Sequence, residues 1–207
     1  TVHAPLTFNG PFKTYNLIGE KELSKIRQSS IIINAARGSI INESCLIEKS
    51  IKGIIIDCWD NEPNINFSLL KKTDIATPHI AGHTYEGKSN GSIIVQKALC
   101  KYLNINNKIK FNYESQFIPE IIKIDVNRNS DEKILREIVF KCYPINNNNL
   151  EIDSSFDKTN GMKNDFISLR KNYPLRYEWK NYTVKLMNGS ERLIEKITTL
   201  GFNVVVA

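Results

Sequence analysis

Asp74-Ile75-Ala76-Thr77-Pro78-His79-Ile80-Ala81-Gly82-His83 sets a short strand-like apolar run and a proline-stiffened turn directly before a histidine. The chain has three histidines, and His79 is the one so placed. In α/β folds, chemistry gathers just past the carboxyl ends of the strands. An ordinary imidazole titrates at about pH 6.5 and can pass a proton at neutral pH, and a carboxylate beside it favours the charged form. A lone histidine is more often a satisfied structural residue, so the weight lies with its company. Upstream, Ile54-Ile55-Ile56-Asp57 reads as a strand followed by Cys58-Trp59-Asp60-Asn61-Glu62-Pro63, and Ile32-Ile33-Asn34-Ala35-Ala36-Arg37-Gly38 as a buried strand that breaks at Gly38. Arg37, Glu62 and His79 each follow a different apolar run, which is the rim where ligands bind in doubly wound sheets.

The string Asn34-Ala35-Ala36-Arg37-Gly38, the spacing from Asp57 to Glu62-Pro63, and Pro78-His79-Ile80-Ala81-Gly82 together resemble the D-isomer-specific 2-hydroxyacid dehydrogenases. Glu86-Gly87-Lys88 and the later run Leu169-Arg170-Lys171-Asn172-Tyr173, with Arg176, Glu178 and Trp179, point to one branch within that family. The resemblance implies an α/β fold: the second half of a Rossmann-type NAD-binding domain, then a small α+β, split βαβ-like dimerisation domain. It implies NAD-dependent oxidation of a small phosphorylated 2-hydroxy acid. In that frame Arg37 holds the substrate carboxylate, His79 is the general base and Glu62 orients its imidazole. Ala4, within His3-Ala4-Pro5-Leu6, would border the cofactor together with Gly82, and Asp57 would face the nicotinamide. An aspartate at the end of a strand can equally close a turn. His83 falls at a substrate-contacting position where that branch commonly has tyrosine.

A chain of 207 residues can build one large domain or two small ones. The Asn- and Lys-rich stretch at 104–117 reads as a linker between 1–103 and 118–207, which the resemblance identifies as a partial NAD-binding domain with its return helix and a C-terminal dimerisation domain. No apolar run approaches the roughly 18 residues of a membrane span and no basic, apolar leader heads the chain, so the default expectation is cytoplasmic. Four cysteines without a C-x-x-C pair fit reduced, packed thiols better than disulfides or zinc. His79 and His83 stand four residues apart, but Pro78 and Gly82 interrupt a helix and no third ligand presents itself, so no metal is expected. The net charge of +6 suits an anionic ligand, although an Ile-, Asn- and Lys-rich composition accounts for it equally well as solvated lysines.

Taken in order, Thr1 to Leu6 reads as the end of a strand, Glu20 to Arg27 as an amphipathic helix, and Ser30 to Asn34 as a strand too apolar to be exposed on either face. Asn42 can cap a helix to Ser50; Gly53 to Trp59 is the next strand and Phe67 to Lys72 a short helix. A long helix should start near Thr84 and run to about Leu103, its first turns crowded by Gly82, Gly87 and Gly91. Strands are expected at 121–126, 150–153, 182–187 and 202–206. Helices should follow Ser130 and Ser190, with another from Asp165 to Lys171, and Gly201 suits the end of the helix after Ser190. Four short strands with two covering helices leave an apolar face open, which favours a homodimer.

No G-x-G-x-x-G occurs, since none of the ten glycines makes that spacing. Pyrophosphate binding rests on such a turn and the helix after it. The chain therefore reads as a fragment or truncated gene product, inactive alone. The rival reading is a non-catalytic dehydrogenase-like interaction or nucleic-acid-binding protein, argued from the interleaved cations and aromatics between Leu169 and Trp179. Arg37, Glu62 and His79 occurring together favour the enzyme and make nucleic acid the weaker partner.

Overall fold

The computed structural model describes residues 1, 3–106, 121–126, 129–148 and 160–206. In chain order the elements are α1 (Glu20–Ser24), β1 (Ile31–Asn34), α2 (Glu43–Glu48), β2 (Gly53–Ile56), α3 (Phe67–Lys72), β3 (Ile75–Ala76), α4 (Tyr85–Tyr102), β4 (Ile122–Asp125), α5 (Asp131–Cys142), α6 (Asn160–Lys171), β5 (Thr183–Met187), α7 (Glu191–Thr199) and β6 (Asn203–Val206). They form two compact units, Thr1–Ala81 with Asn146–Pro174, and Gly82–Ile145 with Leu175–Ala207. Residues 107–117 of the expected linker and the strand expected at 150–153 lie outside the described residues.

In the first unit β1, β2 and β3 pair in parallel in that order, with Ile32 opposite Ile54 and Ile56 opposite Ala76. Parallel neighbours need a crossover, and α2 and α3 supply the two required here. Asn42 Oδ1 starts α2 by accepting Cys45 N–H at 3.0 Å, and Asn66 Oδ1 starts α3 by accepting Ser68 N–H at 3.0 Å. Ile32, Ile54, Ile56 and Ala76 share one face and are buried with Leu23, Leu46, Leu69 and Phe166. β1 departs from the expectation of cover on both faces: Ile31 is 51% exposed and Ile33 half-buried. Among the described residues β1 pairs on one side only, so it behaves as an edge strand. Thr1 to Leu6 forms no strand among the described residues; the segment runs into a loop whose ends are tied by Thr7 and Thr14, each backbone N–H meeting the other's hydroxyl at 2.8 and 3.0 Å.

The second unit has its own parallel sheet, β4-β5-β6, with Ile122 opposite Val184 and Val184 opposite Val204. β6 lies directly beside β5 and α7 joins them, an unsplit βαβ crossover. Ile134 and Ile138 of α5 and Leu193 and Ile197 of α7 are buried with Ile124, Leu186 and Phe202, and Trp179 stacks on Phe202 at 5.0 Å. Ser130 and Ser190 cap α5 and α7 as their positions indicate, and Gly201 after α7 has φ +100°, the left-handed ending that glycine permits. Two runs far apart in sequence meet at the start of α4: Glu86 accepts Glu178 N–H at 3.0 Å and Asn181 Nδ2–H at 2.6 Å, and Arg176 O accepts Tyr85 N–H at 2.7 Å. Of the glycines crowding that start, Gly87 has a packing reason, since a Cβ there would lie 2.7 Å from the Thr84 hydroxyl, whereas Gly82 and Gly91 face open space. No helix among the described residues is long and apolar enough to cross a membrane.

Candidate functional site

β1, β2 and β3 end in register at Asn34, Ile56 and Ala76, so the chain leaves all three strands on the same edge. The loop after β3 carries His79 in the left-handed region, φ +56°. For a residue other than glycine this is an uncommon conformation, raised by about 1–3 kcal/mol, and surrounding bonds must hold it. Asp57 supplies them. Its carbonyl accepts His79 N–H at 2.9 Å, Oδ1 accepts the Thr77 hydroxyl and Ile80 N–H, each at 2.7 Å, and Oδ2 accepts Ala81 N–H at 3.0 Å. At 6% exposure this carboxylate closes the turn on which the histidine stands.

The imidazole points to the loop after β2. His79 Nδ1 lies 2.8 Å from Glu62 Oε2, with the two side chains 28% and 18% exposed. Glu62 is itself fixed, because its Oε1 accepts Trp59 N–H at 2.8 Å, and the Trp59 indole donates to Thr77 O at 2.9 Å, binding the two loops together. A carboxylate can only accept, so Nδ1 carries the proton and Nε2 is the nitrogen left for proton transfer.

Arg37 follows β1. Asn34, 2% exposed, folds its side chain back so that Nδ2 donates to Arg37 O at 3.1 Å and Cys58 O at 3.3 Å while Oδ1 accepts Ala36 N–H. The Arg37 guanidinium donates to Ala36 O at 2.6 Å. Its charge reaches the Cys58 thiol, as do those of Asp57 and Glu62, which places all three around that residue. Burial first, then the two carboxylates, push this thiol up to about 12, so it stays protonated and unreactive.

Gly38 explains how the Arg37 and Glu62 loops come so close. A Cβ at that position would sit 1.9 Å from Trp59 C, 2.0 Å from Trp59 O and 2.2 Å from Asp60 N, all backbone atoms that cannot swing aside. Gly38→Ala should therefore force the two loops apart at a cost of about 3 kcal/mol, the upper part of the overpacking range. Urea unfolding measures it, and an unmoved midpoint would mean the loops are not in contact.

Beyond Gly38, the Ser39 hydroxyl donates to Asp60 Oδ1, and Asp60 N–H donates to Glu43 Oε1 at 2.7 Å. Burial first, together with the charges of Asp60 and Glu62, pushes the Glu43 carboxyl above its ordinary value of 4.5, against the opposing pull of the Asp60 hydrogen bond. With the folded value above the unfolded one, ionisation of Glu43 opposes folding as the pH rises through the ordinary glutamate range, and that penalty is complete above the raised folded value. Glu43→Gln should then be the more stable form at neutral pH, with the advantage shrinking as the pH falls from the raised folded value and gone below about 4.5. Thermal unfolding at pH 7 and pH 4 tests the sign; an advantage that grew in acid would refute it.

The structure thus brings Asp57, Glu62 and His79 together by direct bonds and sets the Arg37 turn against them through Gly38. Ala4 is half-buried in the irregular segment before the turn at Gly10, Gly82 is exposed, and His83 is half-buried at the start of the second unit. Asn34, Ser39, Glu43, Asp60 and Thr77 form part of the arrangement without having been singled out in the sequence. Asn34 left one signal, a polar residue closing an otherwise all-isoleucine strand. Among the described residues, no group of three or more His, Cys, Asp and Glu side chains could hold a metal ion.

Residues 1–81, which contain the whole rim, match the family model for the D-isomer specific 2-hydroxyacid dehydrogenase, NAD binding domain, and residues 118–201 match a domain of unknown function, DUF3410. The chain is 32% identical over 209 residues to the erythronate-4-phosphate dehydrogenase of Proteus mirabilis and 34% identical to that of Escherichia coli O1:K1, covering 98% and 99% of this chain. Along nearly its whole length it is similar to the erythronate-4-phosphate dehydrogenases. The chain spans about half the length of these curated relatives, 53% of each. Among solved structures, a glyoxylate reductase from Paecilomyes thermophila aligns with 48% of this chain and 31% of its own at 30% identity and a TM-score of 0.42. Arg37, Asp57, Glu62 and His79 fall inside the matched NAD-binding stretch, whereas Gly82, His83 and α4 lie between the two matched stretches.

Proposed function

We propose that this chain supplies the acid–base side of an NAD-dependent dehydrogenase that oxidises 4-phospho-D-erythronate to 2-oxo-3-hydroxy-4-phosphobutanoate, a step of pyridoxal 5'-phosphate synthesis. The observation that carries it is the 2.8 Å His79–Glu62 pair held on the strand-end rim beside Arg37. Arg37, a planar cation with paired donors, holds the substrate carboxylate and the oxygen at C2. His79 Nε2 takes the hydroxyl proton, and Glu62 stabilises the imidazolium that forms. NAD would supply the hydride acceptor for C2, its nicotinamide end held by Asp57, and the proton taken up by His79 would pass to solvent.

The residues present fit the nicotinamide end of that cofactor. Asp57 Oδ2 accepts one backbone N–H and has only a 3.8 Å contact from the Cys58 thiol besides, which leaves acceptor capacity for a carboxamide. Ala4 and Gly82, both small, would border the cofactor, and His83 would meet the substrate. A cytoplasmic setting goes with this reading, as do four free cysteines.

The test places the N-terminal residues of the Proteus mirabilis relative ahead of Thr1 and follows NADH formation. Turnover that depends on 4-phospho-D-erythronate is expected. Equal turnover of unphosphorylated erythronate would overturn the assigned substrate.

The same reading includes a homodimer formed through the second unit. None of the residues of α4 is buried, and Ile94, Val95 and Tyr102 are 67%, 68% and 84% exposed, apolar side chains of the kind that pack at interfaces. Sedimentation at micromolar concentration should give the dimer mass, and a clean monomer would count against it.

A further inference from the structure

Glu43 sits in the first turn of α2, but its carboxylate does not cap that helix; Asn42 does. Instead Oε1 reaches across seventeen residues of sequence to the backbone N–H of Asp60 at 2.7 Å. Asp60 is also gripped from the Arg37 side by the Ser39 hydroxyl, and its neighbour Trp59 supplies the N–H that fixes Glu62. We propose that Glu43 is a positioning residue, acting through Asp60 and Trp59 to hold Glu62 in reach of His79 and to lock the Glu62 loop onto the Arg37 turn.

The alternative is that Glu43 merely adds negative charge at a helix start, a surface role that needs no particular reach. The structure speaks against this. The carboxyl is half-buried next to Asp60 and Glu62, a setting that penalises its charge, and the one strong bond it makes is directed at the loop. A disfavoured group kept at a strand-end rim is a mark of functional geometry. The inference rests on the functional reading of the rim, because it concerns how that rim is assembled.

Two conservative substitutions separate reach from charge. Glu43→Gln keeps an oxygen at the same distance for Asp60 N–H but loses the charge; Glu43→Asp keeps the charge but is one methylene too short. The first readout is the His79 Nδ1 proton in the full chain, seen by NMR as a downfield resonance protected by its bond to Glu62. It should persist in Glu43→Gln and be lost in Glu43→Asp. The second readout is kinetic, in the protein completed with the relative's N-terminal residues. There Glu43→Asp should lower kcat about tenfold or more with the KM for NAD within about twofold, and Glu43→Gln should restore kcat. Ser39→Ala releases the other hold on Asp60 and should weaken the same resonance, which decides the matter if Glu43→Asp fails to fold. A resonance unchanged in Glu43→Asp, or unchanged in Ser39→Ala, overturns the proposal, as does the reverse order in which Asp suffices and Gln does not. If the completed wild-type protein shows no dehydrogenase activity, the functional reading fails while the resonance still decides the role of Glu43.

Discussion

His79→Asn, in the protein completed at its N-terminus, should lower kcat by about 10²–10⁴-fold while leaving NAD affinity nearly unchanged. That corresponds to about 3–5.5 kcal/mol of transition-state stabilisation. Asparagine is the informative replacement for two structural reasons. It is among the residues that tolerate the left-handed backbone, which His79 occupies at φ +56°. Its side-chain amide can also still donate toward Glu62, the partner His79 holds at 2.8 Å. The fold and the turn braced by Asp57 should therefore survive, and what disappears is the second ring nitrogen, the one proposed to take the proton. Steady-state kinetics with separate NAD titration is the measurement. A parallel loss of kcat and NAD affinity, or a collapse of stability, would recast His79 as a structural histidine.

What the sequence disclosed about this site, and what it withheld, divides along a physical line. Features set by a few neighbouring residues were legible: the Asn42, Ser130 and Ser190 caps, the helix from Phe67 to Lys72, and the placement of Arg37, Glu62 and His79 after three separate apolar runs. Features set by how distant segments come together were not. Asp57 finds its donors in Thr77, Ile80 and Ala81, 20–24 residues away, and only the parallel register of β2 and β3 brings them into reach. Gly38 looked like a chain break and is a point where two backbones touch. Glu43, in the first turn of α2, directs its carboxylate to the opposite loop. The exposed side chain of Ile31 follows the same logic, since the cover of a strand depends on what lies beside it and not on its own apolar content. At Thr1 to Leu6, strand-like composition found no ladder, and the loop is closed by Thr7 and Thr14 instead.

The second large effect concerns the cofactor. The 207-residue chain alone should give no measurable heat when titrated with NAD, and micromolar binding should emerge once the N-terminal residues of a relative are joined to it. Dinucleotide affinity depends heavily on backbone N–H groups at a glycine-rich turn and on the helix N-terminus after it, where the pyrophosphate charge is met. None of the ten glycines here makes that spacing. On the proposed reading this chain offers the other end of the site, and even there Asp57 has most of its carboxylate committed to the His79 turn: Oδ1 accepts two donors and Oδ2 one backbone N–H. A single remaining acceptor for a carboxamide is worth about 1 kcal/mol, far short of the roughly 8 kcal/mol of a micromolar complex. The chain and the joined protein should accordingly differ by several orders of magnitude in affinity, while His79 and Glu62 stay paired in both. Micromolar heat from the 207-residue chain itself would show that its own rim holds the pyrophosphate, and the division of labour argued from Asp57 would then be wrong.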